Sequence, residues 1–384
     1  MTVEEPPFTV GIEEEYLLVE RATGALANDP PAGLVGECEK RLAALGGRAA
    51  SVTPEFLRAQ IEVQTGVCRT VGEARAELAA ARRIIADVAG EHGLAPIAAS
   101  THPFAEWGGA KATEKERYRS LAADLQGVGR RLVICGLHVH VGIPDNELRI
   151  DLMNQAMYFL PHLLALSTSS PFWRGDDTGL KSYRIAVFNE LPRTGPPDYF
   201  ESYGEYERQV RRLLDTKLID DPTKLWWDIR PSARFPTLEM RITDVTTRLD
   251  DAAGLAAMFQ CILGLLWRLR RSNQRWRIYP HMLVKENRWR AQRYGIDEGL
   301  VDFGKGEVVP FATLLEELIE LTAPEAERFG CVAEIAGLRD ILRRGTSAHR
   351  QHALYTQALA GGATKAEALK QVVDWLVGET VTGL

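Results

Sequence analysis

The run Gly11-Ile12-Glu13-Glu14-Glu15-Tyr16 places three consecutive carboxylates inside an apolar segment that covers residues 8–19. The Val, Ile, Leu and Tyr content of that segment predicts a β-strand. Because strand side chains alternate between the two faces of a sheet, Glu13 and Glu15 share one face, roughly 7 Å apart, and Glu14 points to the other. At an effective dielectric constant of about 20, two charges at that separation repel by roughly 2 kcal/mol. A buried strand tolerates this repulsion when a cation compensates it, so the run predicts a metal site.

Length, charge and cysteine content restrict the class of protein. The chain has 384 residues, 45% hydrophobic and 26% charged, which is typical of a globular protein with one large domain or two smaller ones. Its net charge of −6 at pH 7 gives no support for a nucleic-acid partner. The five cysteines include no C-x-x-C pair, and residues 1–7 lack the basic start of a signal peptide. We therefore expect reduced thiols and a cytoplasmic location.

Helical and extended patterns alternate along the chain without a clear linker. We therefore expect one α+β domain over residues 1–384, sheet-rich to about residue 300 and helical from residue 310 onward. The spacing of apolar residues predicts helices over residues 73–92, 150–167 and 203–214. The longest apolar stretch, residues 252–267, is too short to span a bilayer, so it predicts a buried core helix and no membrane partner.

Four predicted strands carry aliphatic side chains on one face and charged or imidazole side chains on the other. A solvent-facing antiparallel sheet also alternates, but its polar face usually carries Lys, Thr and Ser. Taken singly, a Glu on a strand is usually solvated, an H-x-H pair is usually structural and an E-x-R strand often forms an ion pair. Four such strands in one chain favour a metal or phosphate site. The residues on the polar faces are Glu13, Glu15, Glu62, His138, His140, Glu239 and Arg241.

The types of candidate ligand indicate which metal to expect. Several carboxylates with one or two imidazoles and no nearby cysteine favour Mg²⁺ or Mn²⁺ over a structural zinc. Mg²⁺ is usually held by carboxylates together with substrate phosphates, and Arg241 suits the negative charge of a transferring phosphoryl group. The pattern therefore favours metal-assisted phosphoryl chemistry.

The familiar nucleotide-binding and hydrolase motifs are missing from the sequence. It contains no G-x-G-x-x-G and no G-x-S-x-G, and residues 175–182 approach the P-loop pattern with the wrong spacing. These absences argue against a P-loop kinase, a Rossmann enzyme and an α/β-hydrolase.

Longer motifs add a family resemblance. They are Gly11-Ile12-Glu13-Glu14-Glu15, Gly136-Leu137-His138-Val139-His140-Val141-Gly142, Trp226-Trp227-Asp228-Ile229-Arg230-Pro231 and Thr237-Leu238-Glu239-Met240-Arg241, with shorter matches at residues 182–184, 191–195, 286–290 and 374–376. Together, over about residues 8–380, they resemble the ATP-dependent carboxylate–amine ligases of the type 2 glutamate–cysteine ligase group. The resemblance implies a glutamine-synthetase-like catalytic fold. In that fold a curved, mainly antiparallel sheet forms a funnel lined by metal-binding carboxylates, with helices packed outside.

The same resemblance implies a two-step reaction. ATP phosphorylates a substrate carboxylate, and an amine then displaces phosphate to leave an amide. The expected ligands are ATP, Mg²⁺ or Mn²⁺, an acid such as glutamate and an amine such as cysteine. By motif matching, the implied metal ligands are Glu13, Glu15, Glu62, His138 and Glu239, with Glu55 as a further candidate.

The resemblance also implies roles for basic residues. Arg241 would steady the γ-phosphoryl group and the acyl phosphate, and His140 and Arg230 would contact nucleotide phosphates. Arg184 and Arg193 are candidate clamps because a planar guanidinium binds carboxylate or phosphate in a bidentate manner. An arginine with a supporting or surface role gives the same sequence pattern.

Two alternatives stay open. A zinc-dependent hydrolase would hold its metal with His138, His140 and a glutamate, and it predicts tight zinc and no requirement for ATP. A catalytically inactive relative would bind nucleotide without forming product. For assembly, the apolar helix at residues 252–267 and the exposed tryptophans favour a homodimer.

Overall fold

The computed structural model describes residues 4–46, 50–109, 111–114 and 116–384, except for the side chains of Trp107 and Arg117. Residues 1–3 of the predicted domain lie outside the described residues. The strands are β1 (Val10–Glu20), β2 (Ser51–Pro54), β3 (Gln60–Gln64), β4 (Leu94–Ile97), β5 (Leu137–Gly142), β6 (Phe172–Trp173), β7 (Asp176–Asp177), β8 (Thr194–Gly195), β9 (Trp226–Trp227), β10 (Ile229–Pro231), β11 (Thr237–Met240), β12 (Leu300–Asp302) and β13 (Glu307–Val309).

The helices follow the same order along the chain. They are α1 (Leu34–Ala44), α2 (Val71–Gly90), α3 (Glu116–Leu125), α4 (Asn146–Ala156), α5 (Leu160–Ser167), α6 (Tyr183–Phe188), α7 (Tyr203–Asp215), α8 (Leu249–Arg271), α9 (His281–Tyr294), α10 (Phe311–Phe329), α11 (Val332–Arg344), α12 (Ser347–Ala360) and α13 (Lys365–Thr380).

Within the described residues, seven strands form one open antiparallel sheet. Their order is β10-β11-β5-β1-β3-β2, and β4 pairs with the C-terminal part of β1. All pairings within this sheet are antiparallel. The predicted α+β class with a mainly antiparallel sheet is therefore confirmed.

The two faces of the sheet differ in chemistry. On one face, Ile12 and Tyr16 of β1 are buried, and α2 and α8 cover them. On the other face, Glu13 and Glu15 border a cavity. Buried apolar residues form one contiguous cluster that extends from β1 to α13. This continuity supports the proposal of a single catalytic domain.

The apolar helix predicted at residues 252–267 is part of α8. Within the described residues, α8 alone is long and apolar enough to cross a membrane, but 89% of its most apolar 18-residue window is buried inside the protein. It packs between the sheet and helices α10 and α11. Because residues 252–267 are all buried inside the chain, this stretch offers no surface for a homodimer, and the predicted dimer loses that support.

Most predicted elements match the structure to within a few residues, and one does not. The segment 150–167 was predicted as one helix, whereas α4 ends at Ala156 and α5 begins at Leu160. Pro161 lies in the first turn of α5, where a missing N–H costs nothing because that donor has no partner within the helix. The helical C-terminal portion is confirmed as α10 to α13.

Candidate active site

The register of the sheet brings the predicted polar residues together. Glu15 of β1 lies opposite Glu62 of β3, and Glu13 lies opposite His138 of β5. On the next strand, Glu239 of β11 lies opposite His140. Directly opposed side chains in an antiparallel pair have Cβ atoms about 5 Å apart, so the charged groups form one continuous surface.

This surface borders a cavity of about 410 Å³. The predicted site residues that line it are Glu13, Glu15, Glu55, Glu62, His138, His140, Arg230, Glu239 and Arg241. The sequence analysis did not identify its other polar and aromatic lining groups. Those are Thr53, Gln64, Tyr118, Thr223, Lys224, Trp226, Ser232, Arg234 and Phe235.

Glu13 lies between the two histidines of β5. Its Oε2 is 3.2 Å from His138 Nδ1, and its Oε1 is 3.4 Å from His140 Nε2. Burial favours the protonated form of Glu13, but hydrogen bonds from the two imidazoles outweigh it and hold its pKa below the ordinary value. Glu13 is therefore an ionised carboxylate at neutral pH.

His138 is held in the neutral form. Burial, reinforced by the charge of Arg241, lowers its pKa to about 4. Glu13 Oε2 is the nearer neighbour of His138 Nδ1, at 3.2 Å against 3.5 Å for Arg241 Nη1, so we assign the imidazole proton to Nδ1. Among the residues that the structure describes, the buried Nε2 atom of His138 has no hydrogen-bond partner. A neutral imidazole with a free Nε2 lone pair is the form that ligates a metal.

Glu239 and two arginines form a buried ion cluster. Arg230 donates from Nε and Nη2 to the two carboxylate oxygens, at 2.8 and 3.2 Å, and Arg241 donates to Oε1 from the other side. Burial opposes ionisation of Glu239, yet both guanidinium groups outweigh it and lower the pKa. Two arginines on one carboxylate leave excess positive charge, which suits binding of a polyanion such as a triphosphate.

The opposite end of the cavity is acidic. Burial raises the pKa of Glu15 to about 7, and the charge of Glu55 adds to the effect. Burial also raises the pKa of Glu62, again reinforced by neighbouring carboxylates, Glu13 first. Neighbouring carboxylates thus raise the pKa of both Glu15 and Glu62, and a bound cation would offset this repulsion.

The donor set fits a divalent metal with oxygen-rich coordination. Three possible ligand atoms, one each from Glu13, His140 and Glu239, lie within 4.8 Å of one another. Opposite ligands of Mg²⁺ are separated by about 4.2 Å, twice the Mg–O distance, so small adjustments would complete a site. The geometry thus adds His140, predicted as a phosphate contact, to the candidate metal ligands. In the described part of the chain, the Nε2 atom of His138 has no hydrogen-bond partner, which agrees with this fit.

The two predicted arginine clamps, Arg184 and Arg193, are not among the residues that line the main cavity. Arg184 is 2% exposed, and its Nη1 and Nη2 donate at 3.2 Å to the carbonyl oxygens of Ile242 and Arg241. It therefore supports the backbone that carries Arg241. Arg193 stacks on Trp226 and donates to the carbonyl of Lys224, and it lines a neighbouring cavity instead of the main one.

The middle carboxylate of the opening run has a structural role. Glu14 points away from the cavity, as the alternation predicts, and Arg82 of α2 donates to both of its oxygens at 2.7 and 3.0 Å. Both side chains are fully buried. This ion pair fixes β1 against α2, and so it fixes the face on which Glu13 and Glu15 stand.

A second buried ion pair supports Arg241, and it joins two of the resemblance motifs. Arg288 of α9 donates to both oxygens of Asp228, at 2.7 and 3.0 Å. The carbonyl of Asp228 accepts from the backbone N–H groups of Arg241 and Ile242. The sequence analysis gave neither residue a role, although each lies in a quoted motif.

The comparisons with known proteins agree with this geometry. The family model described as glutamate–cysteine ligase family 2 matches residues 9–374. A relative from Rhodospirillum rubrum is 65% identical over 382 residues, which are 99% of this chain and 97% of the relative. A relative from Jannaschia sp. is 53% identical over 376 residues, which are 98% of this chain and 97% of the relative. Both carry the name "Putative glutamate--cysteine ligase 2".

Solved structures show the fold. The glutamate–cysteine ligase of Francisella tularensis, in complex with AMP, aligns with a TM-score of 0.67 and 13% identity over 100% of this chain and 90% of its own. A bifunctional glutathione synthetase from Pasteurella multocida aligns with a TM-score of 0.66 and 14% identity over 97% of this chain and 52% of its own. At this identity the likeness concerns the fold alone, and the predicted glutamine-synthetase-like class is confirmed.

Proposed function

Because the chain belongs to glutamate–cysteine ligase family 2 and is an enzyme of that ligase type, we propose that it phosphorylates glutamate with ATP and joins it to an amine, cysteine first. The observation that carries the proposal is the arrangement of acidic and basic side chains along one face of the sheet. The carboxylates of Glu15 and Glu62 lie at one end of the cavity, and a carboxylate with two arginines lies at the other. A metal–nucleotide complex requires both kinds of group side by side.

Each residue then has a definite task. Arg241 and Arg230 bind the γ-phosphoryl group and neutralise the charge that develops as it moves to the substrate carboxylate. Glu13, Glu62, His138, His140 and Glu239 would hold Mg²⁺ or Mn²⁺, with Glu15 and Glu55 completing the acidic end. When bound, such ions would act as Lewis acids and withdraw charge from phosphate oxygens.

The chain also limits loss of the acyl phosphate to water. His138 is buried, the Arg241 side chain is 12% exposed, and Trp226 and Phe235 border the cavity. Exclusion of water protects the activated carboxylate until the amine attacks its carbonyl carbon and phosphate leaves. The cytoplasmic location and the homodimer belong to the same proposal.

The experiment traps the activated acid. Purified protein is given ATP, Mg²⁺, glutamate and hydroxylamine, and a hydroxamate is measured together with phosphate. Formation of both, dependent on ATP and glutamate, supports the proposal. Arg241→Ala should lower the rate by roughly 10²- to 10³-fold, the usual cost of one transition-state charge partner. Arg75→Met, at the protein surface, is the matched control and should retain the rate.

The zinc hydrolase alternative predicts a different result. It requires stoichiometric zinc in the purified protein and turnover without ATP. An inactive relative would bind ATP and release no phosphate. Unchanged activity in Arg241→Ala or Glu13→Gln would contradict the ligase proposal.

A further inference from the structure

The backbone that carries Arg241 is held through both its donors and its acceptors. The carbonyl of Asp228 accepts from the N–H groups of Arg241 and Ile242, at 2.8 and 3.2 Å. Arg184 donates from Nη2 and Nη1 to the carbonyl oxygens of Arg241 and Ile242, each at 3.2 Å. The position of Arg241 therefore depends on where Arg184 lies.

The side chain of Arg241 has few contacts of its own within the protein. Its Nη1 donates to Glu239 and lies 3.5 Å from His138 Nδ1. Its Nε is buried and has no hydrogen-bond partner among the described residues. Such a guanidinium keeps donors available for a phosphoryl group, but its place is set largely by the backbone beneath it. A shift of that backbone would move the guanidinium away from the reacting groups.

A buried carboxylate, Asp244, fixes the segment that carries Arg184. Asp244 is fully buried and follows β11 in the chain. Its Oδ1 accepts from Ser182 Oγ at 2.8 Å, and its Oδ2 accepts from Ser170 Oγ at 2.8 Å and from the N–H of Ser169 at 2.9 Å. Ser170 Oγ in turn accepts from the N–H of Arg184 at 3.1 Å. Because Ser182 directly precedes α6, Asp244 holds the start of the helix on which Arg184 lies.

The charges of Arg184 and Asp244 also complement each other. Burial lowers the pKa of Arg184, and the charge of Asp244 is the largest cause that opposes this shift, ahead of Glu15. A buried guanidinium that loses its main counter-charge is costly to keep in place. Asp244 therefore acts on Arg184 in two ways, as a hydrogen-bond acceptor and as a compensating charge.

Together these contacts form a closed ring. It runs from the carbonyl of Arg241 along the chain to Asp244, through Ser182 and Ser170 to α6, and back through Arg184 to the same carbonyl. We propose that Asp244 is a positioning residue for phosphoryl transfer and acts on Arg241 through Arg184. Asp244 is not among the residues that line the catalytic cavity. This inference rests on the proposed ligase function and adds a residue outside the cavity on which the rate depends.

The test compares Asp244→Asn with a matched variant, Asp251→Asn. Asparagine keeps the shape of aspartate and one oxygen acceptor, but it carries no charge. Asp251 is also buried, pairs with Arg344 and does not line the catalytic cavity. Hydroxamate formation from ATP, glutamate and hydroxylamine gives kcat and KM for each protein.

The expected effect falls on kcat. Asp244→Asn should lower kcat by roughly 10- to 100-fold, because a displaced charge partner is lost mainly in the transition state. The KM values of ATP and glutamate should change by less than about threefold. Asp251→Asn should keep kcat within about twofold of the wild type. An equal loss of kcat in the two variants would overturn the proposal.

A double-variant cycle tests whether Asp244 acts through Arg241. In the Arg241→Ala background, Asp244→Asn should lower kcat by less than about threefold, since the group that it places is already gone. A full 10- to 100-fold loss in both backgrounds would contradict the assignment. If Asp244→Asn does not fold, Ser182→Ala removes one donor to the same carboxylate and should lower kcat by roughly 3- to 10-fold in the wild type alone.

A measurement without turnover separates this inference from the proposed function. If the wild type forms no hydroxamate, the ligase proposal fails. The positioning of Arg241 is then judged by hydrogen exchange of the folded protein in peptides that cover residues 238–246. The amides of Arg241 and Ile242 should exchange at least about tenfold faster in Asp244→Asn than in the wild type, and Asp251→Asn should not change them. Unchanged exchange in Asp244→Asn would overturn the positioning role.

Discussion

Replacing Arg82 by methionine tests how the carboxylate run is anchored. The Arg82 guanidinium is fully buried and binds both oxygens of Glu14. It also donates to the backbone carbonyls of Thr246, Thr247 and Thr380. Methionine keeps an apolar stem of similar length and removes all of these donors.

The expected loss follows from those contacts. A buried carboxylate without its partner typically costs about 3–5 kcal/mol. Each carbonyl left without its donor adds up to about 1 kcal/mol. We therefore expect a destabilisation of about 4–6 kcal/mol. With an unfolding entropy of about 2.1 cal/mol/K per residue over 384 residues, the Tm should fall by roughly 5–8 °C.

Equilibrium unfolding in urea, followed by tryptophan fluorescence, measures this loss. Arg75→Met is the control, because Arg75 lies two turns earlier on α2 and pairs with Asp250 at the surface. This substitution should lower the free energy of unfolding by less than about 1 kcal/mol. The double variant Glu14→Gln/Arg82→Met should recover part of the loss, since no buried charge remains. Equal decreases in the free energy of unfolding for Arg82→Met and Arg75→Met would refute the reasoning.

Gly136→Ala should lower phosphate release by roughly 10- to 100-fold in steady-state assays. An added Cβ would lie 2.5 Å from Arg184 Nη2 and 2.9 Å from His138 Nε2, whereas Gly11→Ala, with 3.7 Å to its nearest neighbour, should retain activity. Burial lowers the pKa of His102 to about 4 in the folded state. Between about pH 6.5 and 4 the unfolded state therefore binds more protons than the folded state. As the pH falls through this window, the free energy of unfolding should decrease by about 3 kcal/mol. Urea midpoints at each pH should show a smaller fall in His102→Gln, and an equal fall would contradict this assignment. EDTA should abolish phosphate release, and Mg²⁺ or Mn²⁺ should restore it; restoration by Zn²⁺ alone would favour the hydrolase.

The strands and their polar face could be predicted from the sequence because the sheet is buried on one side and borders a cavity on the other. Period-two alternation assigns each residue of such a strand to a face. That rule separated Glu14 from its two neighbours in the chain. It also placed both histidines of β5 on the cavity side, where the structure has them.

The partners across the fold could not be predicted in this way. Arg82 lies 68 residues from Glu14, and nothing in the local pattern of α2 distinguishes a buried arginine from a surface one. Arg184 matched a motif, but its role in holding two carbonyls depends on the backbone path after β11. Likewise, alternation could not show that His140, like His138, would contact Glu13. Such contacts depend on tertiary packing, which alternation within one strand does not encode.

The most direct test of the central claim is phosphate release from purified protein with ATP, Mg²⁺ and glutamate, with each amino acid added in turn as the amine. The ligase account predicts release that rises with one of the amines, in step with an amide product of matching mass. Phosphate release that depends on neither the acid nor the amine would contradict the account. So would the absence of phosphate release from protein that contains stoichiometric zinc.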